Sequence, residues 1–210
     1  MRMHGTTQGA KPEATIDLTQ LGAGFAEPGT GAQQTFRQSL DALAHPGTLI
    51  TLDQASGEPA FLAPAAAALA LALLDQDTTL WLAPALLKAG PYLRFHTGCR
   101  LTRDPASADF AIAAVPDQLP PLHAFRNGSD EFPEHSSTLI IQTAALDTAH
   151  GWTLSGPGIR STARLLAEGC GAPFAAEWQA NHALFPRGVD IVFACGQRIC
   201  GLPRTTRIGD

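Results

Sequence analysis

Three short stretches of this chain carry side chains suited to holding an anion. Arg94 and His96 stand two residues apart in Leu93-Arg94-Phe95-His96-Thr97-Gly98; Arg160 follows Ser155-Gly156-Pro157-Gly158-Ile159; Arg204, Thr205 and Arg207 follow Pro203. A guanidinium presents a planar fork of donors that matches phosphate or carboxylate, and imidazole and hydroxyl groups add further donors. If Leu93 to Gly98 is a short extended stretch, residues i and i+2 share a side, and Arg94 and His96 converge on one oxyanion. The glycines around Pro157 turn the backbone so that its N–H groups, with Arg160, could cradle phosphate. Arg204, Thr205 and Arg207 suit a phosphate or the acidic surface of a partner. Each stretch also has a plainer account: an ion pair for Arg94, a hydrogen-bonded turn for His96, a glycine-proline turn before Arg160 and solvated strand ends for Arg204 and Arg207.

None of these stretches completes a catalytic set. A phosphate-binding P-loop needs Gly-Lys before Ser or Thr, yet Lys11 follows Ala10 and Lys88 follows Leu87. Gly22-Ala23-Gly24-Phe25-Ala26-Glu27 lacks the third glycine of a dinucleotide fingerprint and follows no predicted strand. Cys195 and Cys200 have no second close Cys or His pair, so no metal site is expected. Ser155 has Thr153 where a nucleophile elbow needs glycine. Schiff-base chemistry needs a lysine. Lys11 falls in the N-terminal lead-in and Lys88 on a helix beginning at Pro84, where a solvated amine is the default, so no pyridoxal phosphate is expected.

The charge balance narrows the partners. Fourteen basic residues, of which only Lys11 and Lys88 are lysines, face 19 acidic ones, for a formal net charge of −5. There is no basic stripe, which argues against nucleic acid and anionic membrane. The N-terminus lacks the apolar run of a secretory signal, and no window reaches the roughly 18–20 apolar residues of a membrane span. Four cysteines form no dense framework, which fits a reducing cytoplasm. Ten phenylalanines and three tryptophans with a 16% charged fraction predict residual apolar surface for a homodimer or heteromeric contact.

The elements expected to position these residues alternate in type. Residues 1–30 form an irregular lead-in, with Phe25 as a possible anchor, and 31–210 a single α/β domain of a size that suits one core. A helix over Gln33 to Ala44 puts Phe36, Leu40 and Leu43 on one face and stops at His45-Pro46-Gly47. A strand at Thr48 to Leu52, an Ala/Leu helix from Ala65 to Leu74 behind Pro64, a strand at Thr78 to Leu82 and a helix after Pro84 follow. Further strands are predicted at Phe110 to Val115, Thr138 to Gln142 and Trp152 to Leu154, then a helix at Phe174 to Leu184. Two apolar runs around Cys195-Gly196-Gln197 read as a terminal hairpin, with Asp190 at the strand end or held by Arg187. Strands alternating with helices favour an α/β layered sheet, and the hairpin makes that sheet mixed.

Six of these segments carry a resemblance: "FRQSLDALAHPG" (Phe36 to Gly47), "LLDQDTTLWL" (Leu73 to Leu82), "LRFHTG" (Leu93 to Gly98), "LSGPGI" (Leu154 to Ile159), "FPRGVDIVFACG" (Phe185 to Gly196) and "LPRTT" (Leu202 to Thr206). In this order they resemble the PhnH family, a subunit of the bacterial carbon–phosphorus lyase system. The resemblance implies a three-layer α/β/α fold with a mixed sheet, similar to the large domain of pyridoxal-phosphate-dependent transferases but without the cofactor. It implies a core complex with PhnG, PhnI and PhnJ. With PhnL, the G, H and I subunits support transfer of the triphosphoribosyl group of ATP to an alkylphosphonate with release of adenine, the ribose 1-methylphosphonate 5-triphosphate synthase step. Radical cleavage of the C–P bond belongs to PhnJ. The family transfers no catalytic residue to this chain. Two functions are therefore weighed: a complex subunit that leaves the chemistry to other chains, and a self-sufficient enzyme acting on a phosphorylated substrate through Arg94 and His96.

Overall fold

The structure is a computed structural model that describes residues 22–53, 61–114 and 119–209. Most of the lead-in, Lys11 and Val115 lie outside the described residues. Among the described residues, four α-helices, α1 (Pro28–Ala44), α2 (Pro64–Leu73), α3 (Gly90–Thr97) and α4 (Ala172–His182), are interspersed with ten strands. These are β1 (Ile50–Thr51), β2 (Thr79–Leu82), β3 (Arg100–Thr102), β4 (Phe110–Ala113), β5 (Thr138–Gln142), β6 (Leu146–Ser155), β7 (Ala163–Ala167), β8 (Asp190–Cys195), β9 (Arg198–Leu202) and β10 (Arg207–Gly209).

Seven strands form a mixed sheet in the order β1-β9-β8-β5-β4-β2-β3. The pairs from β3 through β2, β4 and β5 to β8 are parallel, and the hairpin β8–β9 and the short β1 add antiparallel pairs at the other end. Strands buried on both faces read as continuous apolar runs, and Thr138-Leu-Ile-Ile-Gln142 and Asp190-Ile-Val-Phe-Ala-Cys195 do so. Their side chains divide between two cores. Leu80, Ile112, Ile140 and Val192 face α1, α2 and α3, whereas Trp81, Leu139, Ile141, Ile191 and Phe193 face α4 and a second sheet of order β10-β6-β7.

That second face departs from an all-helical outer layer. A long β6 folds back onto β7, and Leu154, Leu165 and Ile208 from this small sheet supply core residues beside Trp178 of α4. The sequence reading placed only Trp152 to Leu154 here, because polar and apolar residues in 146–167 do not alternate cleanly and the β6–β7 register shifts between Asp147 and Trp152.

The helices show where periodicity misleads. α1 starts at Pro28, five residues before the expected Gln33, with proline in its first turn. Its buried residues are Gly31, Thr35, Ser39 and Ala42, while Phe36 and Leu40 are 44% and 50% exposed. The reason is close approach: α1 packs on α2 and β9 so tightly that a Cβ on Gly201 would lie 2.4 Å from the Ala42 carbonyl oxygen. Small residues must face inward there. α2 fits its reading, with Pro64 in the first turn and alanines buried on all sides. Its entrance is tied to the end of β5, where the Ala63 N–H donates to Gln142 Oε1. The expected helix after Pro84 is a 3₁₀ turn, Pro84–Ala89, that runs into α3.

Candidate functional site

Arg94 and His96 do not converge. Leu93 to Gly98 is the last part of α3, not an extended stretch, and Gly98 closes the helix at φ 75° while its N–H donates to the Arg94 carbonyl at 2.9 Å. On a helix, positions i and i+2 point about 200° apart. His96 turns toward the N-terminal approach, where its Nε2 lies 3.1 Å from the Gly22 oxygen and its ring packs 4.5 Å from Tyr92. Arg94 turns the other way, into an open cleft of about 750 Å3 between α3 and β3. Arg100, the first residue of β3, lines the same cleft, and Pro91, Phe95 and Leu101 give it apolar walls. Burial pushes the Cys99 thiol above its ordinary value, a hydrogen bond from Thr97 acts against this, and the charge of Arg94 lowers it as well.

The other two stretches are brought together. β6 leads out of the small sheet into the turn at Gly156–Gly158, and β10 pairs with β6 in the register Arg207↔Ser155. A Cβ on Gly156 would meet the Thr205 oxygen at 2.8 Å, and one on Gly158 (φ 81°) would meet the Ala44 oxygen at 2.0 Å. These glycines therefore let the turn lie directly against the backbone of α1 and of the Pro203–Thr206 turn. Arg160 is exposed on the loop beyond them.

Arg204 is fixed within the fold. Its Nε donates to Asp190 Oδ1 at 3.1 Å and its Nη2 to Asp190 Oδ2 and Ser136 Oγ; Nη1 donates to the carbonyls of Pro133 at 3.0 Å and Pro186 at 3.3 Å. A guanidinium has five N–H donors, and all five are engaged. Asp190 is thus held by Arg204, whereas Arg187, the partner considered from sequence, pairs with Asp130 at 3.2 Å on the surface. Thr205 is half-buried in the turn. Arg207 is exposed on β10, and its Nε donates to His182 Nε2 at 3.3 Å. His182 Nδ1 lies 2.7 Å from the Arg204 oxygen, an acceptor only, so Nδ1 carries the proton and Nε2 accepts.

A second such pair went unread. Arg126 Nη1 donates to Asp109 Oδ1, and Asp109 Oδ2 accepts from the Thr79 N–H at 2.8 Å. Asp109 stands immediately before β4 as Asp190 opens β8, so two Arg–Asp pairs brace the entering ends of parallel strands. The signal was available: Asp109-Phe-Ala-Ile-Ala and Asp190-Ile-Val-Phe-Ala each put one acid at the head of an apolar run.

Burial pushes the Cys200 thiol up to about 11, and Cys99 is raised as well. Among the described residues no group of three His, Cys, Asp or Glu side chains is placed to hold a metal ion. No described helix is long and apolar enough to cross a membrane. The arginine–aspartate pairs brace the fold, and the α3–β3 cleft, lined by Arg94 and Arg100, is a concave surface of about 750 Å3 with side chains suited to an anion.

The chain is 37% identical over 186 residues to "Alpha-D-ribose 1-methylphosphonate 5-triphosphate synthase subunit PhnH" of Rhizobium meliloti (strain 1021), covering 88% of this chain and 93% of that protein. It is 31% identical over 180 residues to "Putative C-P lyase subunit protein HtxG" of Stutzerimonas stutzeri, covering 84% and 85%. The family model for the bacterial phosphonate metabolism protein (PhnH) matches residues 23–209, from just before α1 to the end of β10. With nearly the whole described fold inside that match, the chain belongs to the PhnH family.

Proposed function

We propose that this chain is a subunit of a carbon–phosphorus lyase core complex. In it the chain supports transfer of the triphosphoribosyl group of ATP to an alkylphosphonate, with adenine as the leaving group. The observation that carries this reading is the likeness over 93% of a protein whose name describes a synthase subunit. The site chemistry is compatible with it: Arg204 is held within the fold, and burial raises the Cys99 and Cys200 thiols, which keeps them protonated. Transferase chemistry then resides in the assembly and not in this chain, with PhnG, PhnI and PhnJ as partners, PhnL acting with them and a homodimer as the state of the isolated chain. The compartment is the cytoplasm. The self-sufficient enzyme loses its geometric support, because Arg94 and His96 diverge on α3.

The mixed sheet keeps the likeness to the large domain of pyridoxal-phosphate-dependent transferases as a proposal about ancestry, without the cofactor. Lys88 lies with its ammonium 5.4 Å from the centre of the exposed Phe61 ring, a cation–π contact on the surface instead of a lysine in a walled pocket. Incubation with pyridoxal phosphate should leave no absorbance near 400 nm that borohydride traps on Lys88. Assembly is tested by co-expressing the tagged chain with PhnG, PhnI and PhnJ: recovery of a stoichiometric complex supports the subunit reading, and recovery of the tagged chain alone contradicts it.

A further inference from the structure

We propose that the cleft between α3 and β3 binds a phosphate-bearing organic ligand of nucleotide size, with Arg94 and Arg100 holding the phosphates and Phe95 offering its face to the ligand's ring. The cleft, about 750 Å3, falls within the range of small-molecule sites and is far larger than one phosphate requires. Arg94 forms no ion pair with a described carboxylate; Arg100 engages only a carbonyl, its Nη2 donating to the Asp77 oxygen at 2.7 Å. The contrast with Arg126 and Arg204 is direct, since both of those are neutralised by aspartates.

The end of α3 points at the same place and carries about half a negative charge. Two guanidinium groups outweigh it, so the cleft stays positive in a chain whose formal net charge is −5. Phe95 is 57% and Leu101 42% exposed, giving a base or other flat apolar group a surface to cover beside the charges. One arginine comes from a helix and the other from the edge strand paired to β2, so the fork spacing is set by the fold.

That the ligand is ATP or its triphosphoribosyl product rests on the function proposed above; the site itself does not. Calorimetric titration of the purified chain uses ATP, inorganic triphosphate, adenosine and a glutamate-rich peptide as probes. ATP should bind and adenosine should not. Arg94→Ala and Arg100→Ala, both exposed and without a structural ion pair, should weaken ATP about tenfold to a hundredfold with unchanged melting, and Arg37→Ala on α1 should leave it unchanged. Absence of ATP and triphosphate binding, ATP binding by both variants as tight as by the unsubstituted chain, or preference for the peptide, which would make the cleft a docking site for an acidic protein segment, each overturns the proposal. The two readings separate in the reconstituted complex. ATP binding that depends on Arg94 without adenine release refutes the transferase reading alone. Full adenine release at limiting ATP by both variants refutes the cleft alone.

Discussion

Arg204 and Asp190 meet at three points: the Arg204 backbone N–H donates to Asp190 Oδ1 at 2.8 Å, Nε to the same oxygen at 3.1 Å, and Nη2 to Oδ2. The pair closes the open end of the β8–β9 hairpin and pulls in Pro133, Ser136 and Pro186 through the remaining donors. An arginine with the type and position of an anion ligand therefore serves as the pin between the last hairpin and the segment leading to β5.

Arg204→Ala should destabilise the protein by about 2–3 kcal/mol, because it leaves a half-buried Asp190 carboxylate and two carbonyls without their charged partner. Arg187→Ala, which breaks only the exposed pair with Asp130, should change stability by less than about 1 kcal/mol. Urea unfolding of both variants checks the contrast; equal midpoints would mean that Arg204 is no more than a surface charge.

Gly201→Ala tests the contact that decides which face of α1 is inside. The new methyl would meet backbone atoms of Ala42, which cannot swing away as a flexible side chain would. A loss of about 1–3 kcal/mol is expected by thermal denaturation. Gly29→Ala, where a Cβ has open space in the first turn of α1, should be neutral or slightly stabilising. The reverse order would show that α1 is not packed on β9 as described.

Cys200 predicts a loss of stability in alkali. Its folded thiol is pushed by burial to about 11, whereas its ordinary value is 9.0. Below pH 9 both states hold the proton. Between 9 and about 11 the unfolded thiol loses its proton while the folded one keeps it, so stability falls as pH rises. Cys200→Ala should flatten that slope, measured as unfolding free energy against pH; an unchanged slope would assign it to other groups.

What was legible in the sequence was what a strand buried on both faces makes legible. β5 matches its expected span and the hairpin matches its two apolar runs, because Leu139, Ile141, Ile191 and Phe193 are demanded by a core on either side of one sheet. On α1 the shared apolar face of Phe36, Leu40 and Leu43 does not mark the inside, since Phe36 and Leu40 are exposed and only Leu43 packs on the core; the inner face needs thinness more than hydrophobicity, and Gly31, Thr35 and Ser39 carry no apolar signal. Leu93 to Gly98 was read as extended because eight residues of helix opening on Gly-Pro offer too few turns for a period. β3 and β10, three residues each, have no alternation to find. The Arg204–Asp190 pair was within reach, since the register Ile191↔Leu202 sets the two ends of the hairpin side by side.

The most direct test of the subunit reading is adenine release. Purified chain is incubated with ATP and methylphosphonate, alone and with PhnG, PhnI and PhnL, and adenine is followed by chromatography. The account predicts no adenine from this chain alone, none when it is omitted from the mixture, and sustained release when all are present. Sustained release by this chain by itself would contradict it.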